Sequence, residues 1–355
     1  MELEPLESRA MLTTTPMLQA VAPYGSPEQF LLSPGGSVYY NTLSGAATFP
    51  PTWAGWTSLG TGVGGRQISA GTYLGTTTLR PYVDLLNGAG DVYFNAQSSS
   101  GTFSGFAPVA LGSRLVEISS GTLPLYNTPF VFAINDVGDV YYTQRSSTGA
   151  WSGLSSVGIG VGAHALAAGA VQVGASPLSY EPYLFMLNGA GNIYFTERTT
   201  AGSWTTWSPV GVGVGADSIS TIALGTTPIV TLVNGAGDVY SNQEGAHGTF
   251  VGWSPVSATG VGAIAETGTV ANESPWSLMV NSAGAVSSSY GGAGAWSNWE
   301  SLGSAPPASA YAFAANPSDA PFAFIIGTDG NAYWNFQTSF ATWHGWVQIG
   351  AAPSA

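Results

Sequence analysis

The sequence predicts an all-β fold, a seven-bladed β-propeller with four antiparallel strands in each blade. A unit recurs seven times in the 355 residues, and its turn glycines lie 46 to 54 residues apart, which is the size of one blade. Each copy holds an apolar strand, a small-residue turn ending in Gly, an aromatic strand and two bulky residues three positions apart. The composition is 45% apolar and 12% aromatic despite 49 glycines and 22 prolines, so the chain can bury a core. The turn glycines are Gly36, Gly90, Gly138, Gly191, Gly237, Gly284 and Gly330.

The fourth copy illustrates the four strands of one blade. Residues 182–187 form an apolar strand, and the turn at 188–191 begins with Asn-Gly, a strong hairpin signal. Residues 192–197 then alternate apolar and polar side chains, as a half-buried strand does. The segment 204–210 leads into a further strand, and 218–224 opens the next blade. No helix longer than one turn is expected.

The ring is predicted to span residues 16–350. Its first inner strand lies near 17–21 and its last outer strand near 347–350, so blade 1 should pack on blade 7 without exchanging a strand. Residues 1–15 and 351–355 are predicted to be tails. The first tail lacks the basic and apolar regions of an ordinary signal peptide, but its Leu-Glu-rich pattern resembles segments that begin some bacterial surface-directed proteins.

Charge restricts the partners. The chain has no lysine and six arginines against 19 carboxylates, and its net charge of −13 repels nucleic acid and anionic membrane surfaces. It has no cysteine, and no apolar run approaches the ~18 residues that a membrane span needs. Neutral ligands remain, and sugars are the first candidates.

The residues that could carry catalysis or metal binding are scattered. The aspartates that follow a turn glycine offer one carboxylate each, too few for calcium, and are predicted to be turn residues. A glycosidase needs two facing carboxylates, which single glutamates in separate copies do not supply. We therefore predict no enzyme activity, no metal and no cofactor. The scattered residues are the aspartates Asp91, Asp139 and Asp238, the glutamates Glu117, Glu181, Glu197, Glu244 and Glu266, and the histidines His164, His247 and His344, which are predicted to lie on the surface.

Three glycine-rich segments, residues 62–65, 158–162 and 211–215, superficially resemble phosphate-binding loops. Such a loop must lead from a strand into the start of a helix, and none follows here. They are predicted to link one blade to the next.

The repeated aromatic residues support two interpretations. The 12 tryptophans and 16 tyrosines of this weakly charged chain offer flat platforms for the C–H face of a sugar. A tryptophan that recurs at one position of every blade also serves as the wedge that packs neighbouring blades. One indole can do both, by packing at one edge and exposing a face.

The copies are unequal at these positions. The two bulky residues are Trp204 and Trp207 in copy 4, whereas copies 2 and 3 have Phe106 and Leu154 at the second position. Copy 6 carries Ser287 and Ser288 where most copies have strand aromatics. We therefore expect weaker binding at these three copies and four working clefts in the ring.

The repeated unit resembles that of the bacterial PLL-like lectins, most clearly at residues 184–211, 276–303 and 322–350. The resemblance spans residues 16–350. It implies a seven-bladed ring that binds fucose-like or other neutral sugars in pockets between blades, against an aromatic side chain and nearby polar groups. By position, the resemblance places aromatic platforms at Trp56, Trp207, Trp253, Trp299 and Trp346, and polar contacts at Asn95, Gln144, Glu197 and Gln243.

The expected function is a secreted or cell-surface, multivalent lectin whose partners are glycans, with homo-oligomers an open possibility. The alternative is a non-catalytic structural or protein-binding propeller in which every tryptophan only packs. A remote alternative is a propeller that cleaves glycans.

Overall fold

The computed structural model describes residues 16–21, 26–44, 52–60, 64–74, 78–123, 128–159, 162–175, 178–211, 215–246, 248–257, 264–269, 275–281, 283–292, 295–297, 299–304, 306–315, 321–339 and 342–354. Every regular element among them is a β-strand, and the strands form seven separate antiparallel sheets. The predicted seven-bladed propeller is therefore confirmed. The predicted tail at 1–15 lies outside the described residues.

Each blade contains four main strands, inner, second, third and outer, which follow one another in the chain. Blades 1 to 4 consist of Met17–Val21, Glu28–Leu32, Val38–Ser44 and Thr57–Gly60; Gly65–Leu74, Leu79–Asn87, Val92–Ala96 and Ala107–Ala110; Leu115–Leu123, Thr128–Asn135, Val140–Gln144 and Ser155–Gly158; and Ala163–Ala175, Leu178–Asn188, Ile193–Glu197 and Ser208–Gly211. Blades 5 to 7 consist of Ala216–Leu224, Thr227–Asn234, Val239–Ala246 and Ser254–Ser257; Ile264–Thr269, Pro275–Val280, Val286–Gly292 and Glu300–Ser301; and Ala308–Ala315, Pro321–Gly327, Asn331–Ser339 and Val347–Ala351.

A further two-residue strand pairs with the far end of the third strand in four blades. These short strands are Thr52–Trp53, Thr249–Phe250, Ala295–Trp296 and Thr342–Trp343. In blades 2, 3 and 4 a single bridge takes their place, as between Arg145 and Trp151. In all seven blades this pairing presents the first of the two bulky residues at the same point.

The ring closes as predicted. The inner strand Met17–Val21 pairs within its own blade and also contacts the inner strands of blades 2 and 7, Gly65–Leu74 and Ala308–Ala315. No sheet borrows a strand from another part of the chain, so closure depends on packing between the first and last blades. Nowhere in the described part of the chain is there a helix long and apolar enough to cross a membrane.

The turn glycine of one blade binds the start of the next. The Gly36 carbonyl accepts a hydrogen bond from Gly65 N at 3.0 Å, and the Gly90 carbonyl accepts one from Leu115 N at 3.2 Å. Equivalent bonds join Gly138 to Ala163, Gly191 to Ala216 and Gly284 to Ala308. Gly90 has a φ of +81°, and an added Cβ would lie only 2.6 Å from Leu115 N. Glycine is therefore required here both by the backbone angle and by the close approach of the next blade.

Side chains connect neighbouring inner strands around a central cavity of about 610 Å³. The Gln67 side chain donates a hydrogen bond to the Ile118 carbonyl and accepts one from Ile118 N. Glu117 Oε1 accepts a hydrogen bond from Leu166 N at 2.9 Å. Ser69 and Ser119 bind the next inner strand in the same way. Burial raises the pKa of Glu117 to about 7. The inner ring is thus held by polar side chains, since its strands do not pair with one another.

Gly90→Ala tests the contact between consecutive blades. We expect it to lower the free energy of unfolding by about 2–4 kcal/mol, because the methyl group meets the Leu115 backbone in addition to the cost of a positive φ. The matched control is Gly101→Ala, where φ is +80° and no atom lies within 4 Å of the added Cβ. It should cost about 1 kcal/mol. Equal losses in urea unfolding would show that the close approach contributes nothing.

Candidate ligand-binding clefts between blades

The first bulky residue packs on aromatic side chains of the preceding blade in six of the seven blades, all except blade 6. Trp204 of blade 4 lies edge-to-face against Phe132 and Tyr142 of blade 3, with ring centroids 5.3 and 5.1 Å apart. Trp53 of blade 1 meets Phe324 and Trp334 of blade 7 at 5.9 and 5.5 Å. These edge-to-face contacts stabilise the blade interfaces beyond the burial of apolar area.

The five predicted sugar platforms are all second bulky residues, and each packs into the interface with the preceding blade. A Cβ on Gly158 or Gly211 would overlap the indole of Trp207 or Trp253, which explains why those outer strands end in glycine. Trp299 Nε1 donates to the Val256 carbonyl at 3.1 Å. The remaining two, Trp56 and Trp346, pack against the clusters of blade pairs 7–1 and 6–7.

All five platforms are half-buried, so each has an edge in the interface and part of its surface open. The Nε1 atoms of Trp56, Trp207, Trp253 and Trp346 are buried, and none of them has a hydrogen-bond partner in the described part of the chain. Those four N–H groups cannot reach a ligand in this arrangement. Sugar contact through the open part of each indole stays a prediction.

Asn95 lies within the scaffold. It is fully buried, and its Oδ1 accepts from Gly105 N at 3.1 Å. Asn41, Asn242 and Asn335 bind Gly55, Gly252 and Gly345 in the same way. This asparagine fixes the turn between the two bulky residues, and its side chain does not face an open cleft.

Gln144, Glu197 and Gln243 share one position, six residues after the turn glycine, and all are half-buried. Gln144 Oε1 accepts from Tyr142 Oη at 2.9 Å and from Arg198 Nη1 of blade 4 at 3.1 Å. The structure therefore brings Gln144 to the cleft between blades 3 and 4.

Two arginines that the sequence-based predictions missed lie in adjacent clefts. Arg145 and Arg198 both stand seven residues after a turn glycine, in blades 3 and 4. The Arg198 guanidinium lies 5.7 Å from the centroid of the Tyr142 ring of blade 3. The sequence signal that could have identified them is their equivalent position in two copies of a chain that has only six arginines.

The cleft between blades 2 and 3 contains a cavity of about 580 Å³. The Arg145 guanidinium stacks over Phe94 at 4.9 Å and over Tyr73 at 5.9 Å, and Trp151 forms another wall. Among the described residues, no acceptor takes a hydrogen bond from the Arg145 side chain. Leu154, the departure from the pattern in blade 3, does not line this cavity but packs against the apolar core of blades 2 and 3.

Blades 5 and 6 compensate for their missing strand aromatics. Ser241 replaces an aromatic residue of blade 5 and accepts a hydrogen bond from Trp296 Nε1 at 2.7 Å. Blade 6 places Trp276 on its second strand, where its ring packs against that of Tyr290 with centroids 4.9 Å apart and planes tilted by 37°. The interfaces are kept by different pairs of residues.

A buried carboxyl group lies at the interface of blades 1 and 2. Glu28 is 8% exposed, its Oε2 atom has no partner, and burial raises its pKa to about 7 while a hydrogen bond from Tyr40 opposes that shift. Gln97 of blade 2 donates to Tyr40 Oη at 3.4 Å.

The scattered groups stay apart in the structure. Asp91, Asp139 and Asp238 lie in turns whose asparagine binds their backbone N–H, as Asn87 binds Asp91 N at 2.8 Å. No group of three or more metal-binding side chains occurs among the described residues. His164 and His344 are exposed as predicted, whereas His247 lies outside the described residues.

The glycine-rich segments run between the outer strand of one blade and the inner strand of the next, as predicted. Residues 61–63, 160–161 and 212–214 of these segments are outside the described part.

Solved structures establish what this fold is similar to. The BP39L lectin from Burkholderia pseudomallei matches with a TM-score of 0.80 and 18% identity, over 95% of this chain and 99% of BP39L. The fucose-recognising, six-bladed lectin of Aleuria aurantia matches with a TM-score of 0.54 and 14% identity, over 81% and 96%. SapL1 lectin, solved with α-methyl fucoside, matches with a TM-score of 0.53 and 13% identity, over 82% and 99%.

No protein-family model and no curated protein sequence matches the chain. At these identities the structural similarity demonstrates a propeller fold shared with lectins.

Trp207→Ala tests the packing role of the second bulky residue. Loss of the indole that covers Gly158 should reduce the free energy of unfolding by about 2–4 kcal/mol, measured by urea unfolding. Trp207→Phe is the control, because Phe106 occupies this position in blade 2, and it should cost less. Unchanged stability in the alanine variant would show that the indole is not a packing element.

Glu28→Gln tests the buried carboxyl group. Because the folded pKa of Glu28 is raised from 4.5 to about 7, the folded state binds more protons than the unfolded state between these values. The contribution of Glu28 to stability is therefore complete below pH ~4.5 and is lost as pH rises through ~7. The glutamine variant should be more stable than wild type by about 1–3 kcal/mol at pH 8 and equal to it near pH 4.5. Parallel stability curves from pH 4.5 to 8 would contradict this.

Proposed function

We propose that this protein is a multivalent lectin that binds neutral, fucose-like sugars in the clefts between its blades. One observation carries the proposal: an aromatic cleft of about 580 Å³ in which the Arg145 guanidinium lies over Phe94 with none of its N–H groups bonded among the described residues. Aromatic faces and planar donors are the two groups that a sugar needs, one for its C–H face and one for its hydroxyls. Fucose recognition by the Aleuria aurantia lectin and the α-methyl fucoside bound to SapL1 support the fucose-like class.

Charge supports a neutral ligand. The chain carries a net charge of −13, so an anionic polymer would meet repulsion everywhere except beside the few arginines. Nucleic acid is therefore not a proposed partner. Catalysis is not proposed either, because no facing pair of carboxyl groups is found among the described residues and the similar structures are lectins.

Repetition supports multivalency. Each cleft is small and partly open, so we expect affinities between millimolar and micromolar at single sites. Several clefts on one rigid ring would bind a glycan-coated surface more tightly than any one cleft binds a free sugar. A secreted or cell-surface location, with or without further association of rings, fits this role and is part of the proposal.

Titration of the protein with methyl α-L-fucoside, followed by calorimetry, tests the proposal. We expect saturable binding with a Kd between about 10 µM and 10 mM, and much stronger retention on a densely fucosylated surface. Methyl α-D-glucoside is the control for nonspecific effects at high sugar concentration. No binding of fucose, galactose or O-methylated sugars at tens of millimolar would favour the structural or protein-binding alternative. Release of reducing sugar from fucosylated oligosaccharides would favour the glycan-cleaving one.

A further inference from the structure

The two arginine clefts differ in how the guanidinium is held. Arg198 donates to Gln144 Oε1 at 3.1 Å and to the Gly202 carbonyl at 3.2 Å. Arg145 has no such bond to any described residue. The difference begins in the preceding blade, because Ala96 of blade 2 stands where blade 3 has Gln144. The methyl group of Ala96 has no hydrogen-bond acceptor. It also leaves empty the space that the Gln144 side chain fills in the cleft between blades 3 and 4.

A second difference lies beneath Arg145. Asp84 occupies the position on the second strand of blade 2 at which four other blades place a core phenylalanine. Those residues are Phe30, Phe132, Phe185 and Phe324.

Asp84 faces blade 3. Its strand partner is Phe94, whose ring carries Arg145, and the groups of blade 3 that act on its carboxyl are Ser120 and Arg145. Asp84 is fully buried, and neither carboxyl oxygen lies within hydrogen-bond distance of a described donor. Burial raises the pKa of the Asp84 carboxyl, and Ser120 and the positive charge of Arg145 oppose that shift.

An unpartnered carboxyl group in place of a packed phenyl ring destabilises a protein core. A residue that weakens the fold at this point, directly behind a ligand-sized cleft, indicates a role in that cleft. Arg145 is the group through which it can act, since Arg145 lines the cavity and its positive charge acts on the Asp84 carboxyl.

Resting on the function proposed above, we propose that the cleft between blades 2 and 3 is a specialised sugar site in which Asp84 positions Arg145. In its ionised form Asp84 attracts the guanidinium, and the ligand supplies the acceptor that Gln144 supplies to Arg198. The planar fork of an arginine fits two adjacent oxygens, so the ligand class is a neutral sugar with vicinal hydroxyls. Its C–H face would lie against Trp151 or Tyr73, which line the cavity.

Arginine-selective ¹⁵N labelling provides a direct test, because the chain contains only six arginines. Arg145→Lys and Arg198→Lys assign the two Nε–Hε signals of interest. On titration of wild-type protein with methyl α-L-fucoside, we expect the Arg145 signal to shift at lower sugar concentration than the Arg198 signal. Equal responses of the two signals would overturn the distinction between the clefts.

Two variants separate positioning from packing. Asp84→Phe restores the residue found in other blades, so it should raise the Tm while weakening the sugar response of Arg145 at least about tenfold. Ala96→Gln gives Arg145 the kind of acceptor that Gln144 gives Arg198. It should therefore also weaken the response of the Arg145 signal to sugar. Asp84→Asn removes the charge but keeps the size of the side chain, so it should weaken the response as well. The Arg198 signal serves as the internal control in all three.

The outcomes are distinguishable. If Asp84→Phe and Ala96→Gln both fold and leave the Arg145 response unchanged, the positioning role of Asp84 is wrong while sugar binding stands. If Asp84→Phe fails to fold, Ala96→Gln alone decides the same question. If no arginine signal of the wild-type protein shifts up to about 50 mM sugar and calorimetry shows no heat, the proposed function itself falls.

Discussion

The structure depends on one constraint: each blade has an apolar face that only its neighbour can cover. A four-stranded sheet of this size cannot bury that face alone, so the blades are stable only as a closed ring. The bulky residues that precede each outer strand provide the cover, as when Trp204 packs on Phe132 and Tyr142 across the interface of blades 3 and 4. Ring closure follows from the same contact, with Trp53 of blade 1 packed on blade 7. The candidate cleft between blades 2 and 3 is an incompletely filled part of such an interface.

The interfaces tolerate exchange of individual residues because area and shape matter more than identity. Ser241 stands where most blades have an aromatic residue, and it accepts a hydrogen bond from the facing Trp296. In blade 6, the pair Trp276 and Tyr290 replaces the strand aromatics that this blade lacks. Asp84 is a different kind of exchange, since it leaves a buried carboxyl group without a partner. Between blades 2 and 3 the ring therefore combines a weakened core with an arginine whose guanidinium has no hydrogen-bond partner among the described residues.

The site was less predictable than the fold. Asn95 lies on the third strand, where a polar side chain was expected to contact the ligand. Its side chain instead binds the turn at Gly105, and its position in the repeat does not distinguish these two roles. The tryptophans were recognised as aromatic wedges or platforms, and Trp207 shows why both descriptions apply, since its N–H edge is buried while part of the ring is open. Arg145 and Arg198 recur at one place in two copies, a signal that is visible only when polar residues are aligned as carefully as aromatic ones.

The sequence by itself determined the number of blades, the turn positions and the antiparallel order of the strands. These features follow from local rules: a glycine with positive φ, an Asn-Gly hairpin turn and alternating side chains. The tertiary structure decided which side chains meet across each interface. Arg145 lies more than fifty residues after Phe94 and Asp84 in the sequence, yet the propeller places its guanidinium 4.9 Å from the centroid of the Phe94 side-chain ring. Such contacts depend on how two sheets pack face to face, and no local pattern in either blade specifies that geometry.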